Sequence, residues 1–262
     1  MPAVPANADQ TRIQQSFARG LQSYHTASIA QAQIAALLAE ALQQAGAPAR
    51  FQHALEFGCG TGHFTHALLQ RFRISHLMLN DLVAESAATL QIFLQDHKTQ
   101  TTFHAGAIET LPLPPALDLI ASASTVQWVA DPAALITRLA RHLAPGGWLA
   151  ISGFGRSHFE ELQETEGAAR TPCYLDPQDW RAILPAHMTV HSLTAHRIAL
   201  PFPTAIALLR HLRQTGVNAH TARHWTRADL DRFDARLRAG QPQDGPLILS
   251  YNPVIMIAQA QA

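Results

Sequence analysis

The sequence predicts an α/β protein with a mostly parallel sheet and helices on both faces. Three observations carry this reading. Short apolar runs alternate with longer amphipathic ones between residues 50 and 155, a glycine-rich turn follows the first run, and groups suited to ligand contact recur where later runs end. At 262 residues, 47% hydrophobic and 15% charged, the chain has the apolar material for one large domain with an appended lid. Nineteen Lys and Arg balance nineteen Asp and Glu, which argues against broad capture of nucleic acid or an anionic membrane. Fifteen histidines would make the surface more positive on mild acidification, since an unperturbed His titrates near ~6.5. Cys59 and Cys173 lie far apart without CxxC spacing, so neither a disulfide framework nor a cysteine metal site is expected. Residues Met1 to Gln10 lack a basic start followed by an apolar run, and Pro, Asp or Gly breaks the apolar stretches short of the ~20 residues of a spanning helix. A cytoplasmic protein is expected, with no nucleic-acid or membrane partner.

The elements follow in order. Ile13, Phe17 and Leu21 recur at helical spacing, and Ile29, Ile34, Leu37, Leu38 and Leu42 mark a second helix that Gly46 and Pro48 stop. Strand and helix then alternate: Ala54 to Phe57 and Phe64 to Phe72, Leu77 to Leu79 and Ala84 to Phe93, Leu117 to Ala121 and Ala133 to Leu143, then Trp148 to Phe154. Beyond residue 155, helices are expected at Phe159 to Ala169, Pro177 to Leu184, Thr204 to Gln214 and Arg227 to Ala239. Strands are expected near Met188 to Leu200 and Leu247 to Ala258, where they would finish the sheet. The division this implies is 1–49 as N-terminal lid helices, 50–155 as the ligand-binding core, and 156–262 as remaining strands plus a substrate lid.

The strongest local signal is Glu56-Phe57-Gly58-Cys59-Gly60-Thr61-Gly62, between the first strand and a helix. Glycines there permit a tight turn and let a ligand approach the backbone. The dinucleotide fingerprint requires GxGxxG, but here the third glycine comes one residue early and His63 stands in its place, which weakens a nicotinamide reading. Nineteen residues beyond Gly62, Asp81 supplies a carboxylate where doubly wound sheets address a ribose, with Leu82 beside it. Ile108 and Glu109 follow the third strand and Ser122 the fourth, Ile108 at a position to flank an adenine. Three histidine pairs, His63 and His66, His187 and His191, and His220 and His224, lack the further ligands of a zinc site, so no metal is expected.

With these residues the sequence resembles the class I S-adenosylmethionine-dependent methyltransferases, whose pattern of an acid, GxGxG, an acid after strand two and a Pro-Gly-Gly turn is met by Glu56, Gly58 to Gly62, Asp81 and Pro145-Gly146-Gly147. The resemblance implies a Rossmann-like fold, a seven-stranded mostly parallel sheet and a helical lid. It also implies that the Gly58 to Gly62 turn, with Cys59 and Gly60, accommodates the amino-acid part of S-adenosyl-L-methionine, that Asp81 binds the ribose hydroxyls, that Ile108 and Glu109 border the adenine, and that Glu56, Leu82 and Ser122 are further cofactor-binding residues. Ala107 stands where many members carry an acid toward the adenine amino group.

Further stretches resemble the malonyl-acyl carrier protein O-methyltransferases of biotin biosynthesis. They are Ser16 to Tyr24 leading to Gln31-Ala32-Gln33, Val126-Gln127-Trp128, Gly153-Phe154-Gly155 with Glu161-Leu162, Thr215 to Ala219, and Pro246-Leu247 ahead of Tyr251. Thr26-Ala27 stands where that family often has His-Ala. The resemblance implies methyl transfer to the free carboxylate of malonyl-acyl carrier protein, or of malonyl-coenzyme A, with S-adenosyl-L-homocysteine as product. By this reading Tyr24 and Trp128 wall the reaction chamber, and Gln31 contacts the cofactor. Arg210 and Arg213, with His211 beside them, either orient the substrate carboxylate or meet an acidic carrier protein. A methyltransferase for another small carboxylic acid or metabolite, a nicotinamide oxidoreductase and a silent scaffold remain as alternatives.

Overall fold

The computed structural model describes residues 28–95, 97–162, 173–215, 226–241 and 245–261. Tyr24, the expected helix around Phe17, Thr26-Ala27, His220 and His224 lie outside the described residues. The first described helix, α1 (Ile29–Gln44), buries Ala30, Ile34, Ala35, Leu38, Ala39 and Leu42 along one face. Ile29, expected on that face, is instead 56% exposed at the helix start.

The alternating core follows as β1 (Arg50–Phe57), α2 (His63–Arg71), β2 (Arg73–Asp81), α3 (Ser86–Leu94), β3 (Gln100–Ala105), β4 (Leu117–Ser122), α4 (Pro132–Ala140) and β5 (Leu143–Phe154). Asp131 caps α4 through the backbone N–H of Ala134, and Pro132 opens its first turn, so the helix starts where the sequence supplies both devices. Strands β1 and β2 begin several residues before their apolar runs, because Arg50 pairs with Arg73 and Phe51 with Ile74, and the buried Phe51 and Ile74 alternate with exposed residues. β5 likewise starts at Leu143. Its register against β4 jumps from Leu117↔Leu143 to Leu119↔Trp148, so Pro145-Gly146-Gly147 lies within the strand as an irregularity, not before it.

Two later strands, β6 (Met188–Ala195) and β9 (Pro253–Ala260), join these in a seven-stranded sheet of order β3-β2-β1-β4-β5-β9-β6, with β9 antiparallel to both of its neighbours and β1 to β5 parallel. Alternate residues of the central strands face opposite sides. Leu119, Ala121, Trp148, Ala150, Ile255 and Ile257 pack with α1 and α2, whereas Ile120, Leu149, Ile151, Val254 and Met256 pack with α4.

After β5 the chain departs from expectation. Of the helix expected from Phe159, the described part is a single 3₁₀ turn at Glu160–Leu162, and residues 163–172 lie outside the described residues. Helix α5 (Pro177–Ile183) carries an Asp176/Asp179 capping box. The two long strands expected at the end are four: β6 (Met188–Ala195), β7 (Ile198–Phe202), β8 (Leu247–Tyr251) and β9 (Pro253–Ala260). Only β6 and β9 complete the sheet, and β7 pairs with β8 in a separate ribbon.

The break has a local cause at Asn252. Its N–H donates to His158 Nδ1 at 3.3 Å, its side-chain amide donates to Ser157 O at 2.6 Å, and its carbonyl accepts from Gly155 N at 3.0 Å. Pro253 follows with no N–H to offer a ladder. Helix α6 (Ala205–Gln214) packs on the ribbon, and helix α7 (Arg227–Ala239) packs on α6. Among the described residues no helix is long and apolar enough to cross a membrane.

Leu38 is fully buried where α1 meets the sheet. Leu38→Ala is expected to lower the unfolding free energy by about 2–5 kcal/mol through lost transfer energy and a residual cavity, as read by urea denaturation.

Candidate active site

The strand order reverses between β1 and β4, and a cavity opens at the carboxyl ends of β1, β2 and β4, where doubly wound sheets receive ligands. Its floor is the turn between β1 and α2. A Cβ on Gly58 would lie 2.1 Å from Thr125 Oγ1, so only glycine lets the β1 turn pass under the β4 loop. Gly60 has φ +51° and would bring a Cβ into open space, which leaves its backbone uncovered toward the cavity.

Asp81 ends β2 with its carboxylate turned back to this floor. Oδ2 accepts from Gly60 N at 2.7 Å and Oδ1 accepts from Val83 N at 2.8 Å. Burial raises its pKa, and those backbone N–H groups oppose the shift. Asn80 stitches the adjacent loops: its side-chain amide donates to His104 O and to Gly106 O, each at 2.9 Å. The cavity wall then runs through Gly106, Ala107, Ile108 and Glu109 after β3, through Ala123, Ser124 and Thr125 after β4, and on to Trp128 and Val129. Helix α1 contributes Gln31 and Ala35 from above.

Of the residues expected at the site, Gln31, Gly58, Cys59, Gly60, Asp81, Leu82, Ile108, Glu109 and Trp128 all line this one cavity. Gly62, Glu56 and Ser122 stand behind it. Gly62 begins α2, with Leu90 of α3 packed against its α-carbon. Ser122 is fully buried and its hydroxyl donates to Phe57 O at 2.8 Å, pinning β4 to β1. The cavity contacts expected of Ser122 fall to Ala123, Ser124 and Thr125 instead, because β4 runs one residue longer than its apolar pattern.

Glu56 points from β1 toward Thr65 of α2 and is 1% exposed. Burial raises its pKa from 4.5 to about 8, the Asp81 charge adds to the rise, and Thr65 opposes it. Cys59 is raised well above the ordinary thiol range by burial and by those two acids, which leaves it a protonated wall.

Arg210 and Arg213 are absent from the cavity lining and project from α6 into solvent. His211, expected beside them on the surface, is turned inward: its Nε2 lies 2.6 Å from the Tyr251 hydroxyl, and burial lowers its pKa to about 4. His63 meets Ser28 Oγ at 2.7 Å, His66 packs on Phe93, and His191 on Trp148. Among the described residues no group of three metal-ligating side chains occurs.

Comparison with known proteins narrows the reading. A family model described as a methyltransferase domain matches residues 55–151. The malonyl-[acyl-carrier protein] O-methyltransferase of Acinetobacter baylyi is 34% identical over 97% of this chain and 98% of its own length. The chain belongs to this methyltransferase family. Members of the same name from Chlorobium luteolum and Haemophilus ducreyi are each 32% identical over 94% of this chain, and the match covers 94% and 95% of their lengths. Among solved structures, the YcgJ protein of Bacillus subtilis superposes with a TM-score of 0.63 at 14% identity, over 86% of this chain and 98% of that one. A Haemonchus contortus N-methyltransferase in complex with phosphomonomethylethanolamine and S-adenosylhomocysteine gives 0.54 at 16% identity, over 86% of this chain and 52% of that one. These two likenesses establish the class I methyltransferase fold.

The neutral Glu56 carboxyl makes stability depend on pH. An unfolded chain releases that proton near 4.5 and the folded chain holds it to about 8. The contribution of the neutral form is therefore complete below 4.5, drains as pH climbs through this window, and is gone above 8. Glu56→Gln, neutral at every pH, is expected to melt close to the parent at pH ~5 and above it at pH ~8.5, with a flatter profile between them. Parallel Tm curves for the two proteins would show that Glu56 ionises normally.

Proposed function

We propose that the chain transfers a methyl group from S-adenosyl-L-methionine to the free carboxylate of malonyl-acyl carrier protein, releasing S-adenosyl-L-homocysteine, as an early step of pimeloyl and biotin synthesis. The observation that carries the cofactor reading is the charge of the cavity. Its described lining holds the carboxylates of Asp81 and Glu109 and neither Lys nor Arg, which favours a cationic sulfonium and ammonium over the pyrophosphate of a dinucleotide. Four lining residues also carry a buried side-chain oxygen with no protein partner among the described residues: Gln31, Thr61, Ser86 and Ser124. Such groups suit a ligand rich in hydroxyl, amino and carboxyl functions. The names of the full-length relatives support the substrate.

Gly58 to Gly60 would receive the amino-acid part of the cofactor, Asp81 the ribose, and Leu82, Val83 and Ile108 the adenine. When bound, the cofactor supplies a methyl group on positively charged sulfur. No residue has to remove a proton, because a malonyl carboxyl titrates near ~4 and is ionised at neutral pH. The work left to the chain is to align the reactants and exclude water, effects that together supply up to roughly 7–11 kcal/mol of a barrier. Trp128 is placed for the second task, and its ring face attracts a cation by roughly 0.5–2 kcal/mol. On the family resemblance we also assign Tyr24 to the walls of the reaction chamber. We assign the reaction to the cytoplasm, a reducing compartment that suits the two free thiols, Cys59 and Cys173.

Intact-mass spectrometry of malonyl-acyl carrier protein, incubated with this protein and adenosylmethionine, is expected to show one added methylene, and none on the acetyl form. Methylation of both forms would move the nucleophile away from the carboxylate; methylation of neither, with cofactor bound, would move the substrate to another small acid. Asp81→Asn is expected to weaken adenosylhomocysteine binding by about 1.5–3 kcal/mol, the range for hydrogen bonds to a charged group, as read by calorimetry.

A further inference from the structure

Helix α6 has two unlike faces. Leu208, His211 and Leu212 are buried against the β7–β8 ribbon and its neighbours. Opposite them Ile206, Arg210 and Arg213 stand at i, i+4 and i+7, one narrow stripe, and all three are exposed, Ile206 by 52%. Ile206 is one of three large aliphatic side chains exposed among the described residues.

The charge on this stripe is uncompensated. No acidic residue occurs between Ala205 and Gln214, and among the described residues neither arginine is held by a carboxylate. Helix α7 beside it is built differently, with Arg232 paired to Asp229 at 2.6 Å and Arg238 to Asp234 at 3.0 Å.

The stripe also belongs to a unit that is joined to the sheet at the cavity's end. β5 finishes at Phe154, which pairs with Pro253 at the start of β9, and β8 enters β9 through Asn252 alone. The ribbon and the helices on it therefore project from the rim where the carboxyl ends of β1 and β4 frame the cavity. Arg210 and Arg213 do not line the cavity, whereas a partner resting on that rim would meet them.

We infer that the Ile206, Arg210 and Arg213 face of α6 is the docking surface for an acidic face of the carrier protein that delivers the thioester. This rests on the functional reading above and adds the place of contact. Two arginines around one aliphatic side chain match a partner surface of carboxylates around an apolar spot, and rim charges of this kind govern encounter more than residence.

The test compares R210E/R213E with R50E/R73E. Arg50 and Arg73 are exposed and adjacent at the starts of β1 and β2, the opposite rim of the sheet, so the control reverses the same charge far from the cavity. The expected result is a rise of tenfold or more in KM for malonyl-carrier protein in R210E/R213E, with kcat within twofold and a flattened salt dependence, while R50E/R73E keeps its KM within twofold. An unchanged KM in R210E/R213E, or an equal rise in both variants, overturns the assignment. Titration with holo-carrier protein bearing no malonyl group reads the contact without turnover. Binding lost in R210E/R213E alone supports the face, and unchanged binding overturns it even if the wild-type chain proves to methylate something else. A dimer that R210E/R213E converts to monomer, with carrier binding intact, would make the face a contact between copies and likewise overturn it.

Discussion

The cavity depends on one carboxylate. Asp81 ends β2, yet its two oxygens are held by backbone N–H groups on either side, Gly60 in the turn after β1 and Val83 in its own loop. The stitching continues in both directions, with Cys59 N donating to Asn80 O and Gly106 N to Asp81 O. Three loops that end three parallel strands are thus fastened to residues 80 and 81. A floor of this kind is preorganised: its polar groups are already aimed before a ligand arrives, so little ordering remains to oppose binding.

Beneath that floor sits a second acid with the opposite character. Glu56 and Asp81 share one electrostatic environment, but Asp81 has backbone donors on both oxygens, whereas one Glu56 oxygen is buried without a hydrogen bond. Desolvation therefore outweighs the opposing effect of Thr65 on Glu56 and keeps its proton at neutral pH. Environments that differ in this way push two neighbouring carboxyls apart. The negative charge is concentrated at the cavity surface, on Asp81, and is not spread into the core.

Much of this was legible in the residues because it is local. The strand, glycine turn and helix unit, the carboxylate at the end of the second run and the Ile108 pair all follow from periodicity and spacing, and all reach the same cavity. The misreadings come from contacts that no local pattern encodes. Ser122 is turned away by a carbonyl of β1, His211 is drawn inward by a hydroxyl on a strand 40 residues later, and the strand expected over Leu247 to Ala258 is broken by a hydrogen-bond set centred on Asn252. Thr125 escaped notice for the same reason. Its importance lies in the absence of a side chain on Gly58, 67 residues away. Tyr24 and the helix expected around Phe17 lie outside the described residues.

The two breaks in the late strands coincide in space. His196 N, just after β6, donates to Pro253 O at 2.9 Å, and Ala195 faces Val254 while Ile198 faces Tyr251. The described residues between 196 and 252 therefore stand outside the sheet, and the chain leaves and rejoins it at a single point. An excursion with adjoining ends can be lengthened, shortened or exchanged without altering the register of β9 against β5, which is what keeps the cavity's frame intact. The fold in this way separates a sheet end that frames the cavity from a module that can change in length without moving that frame.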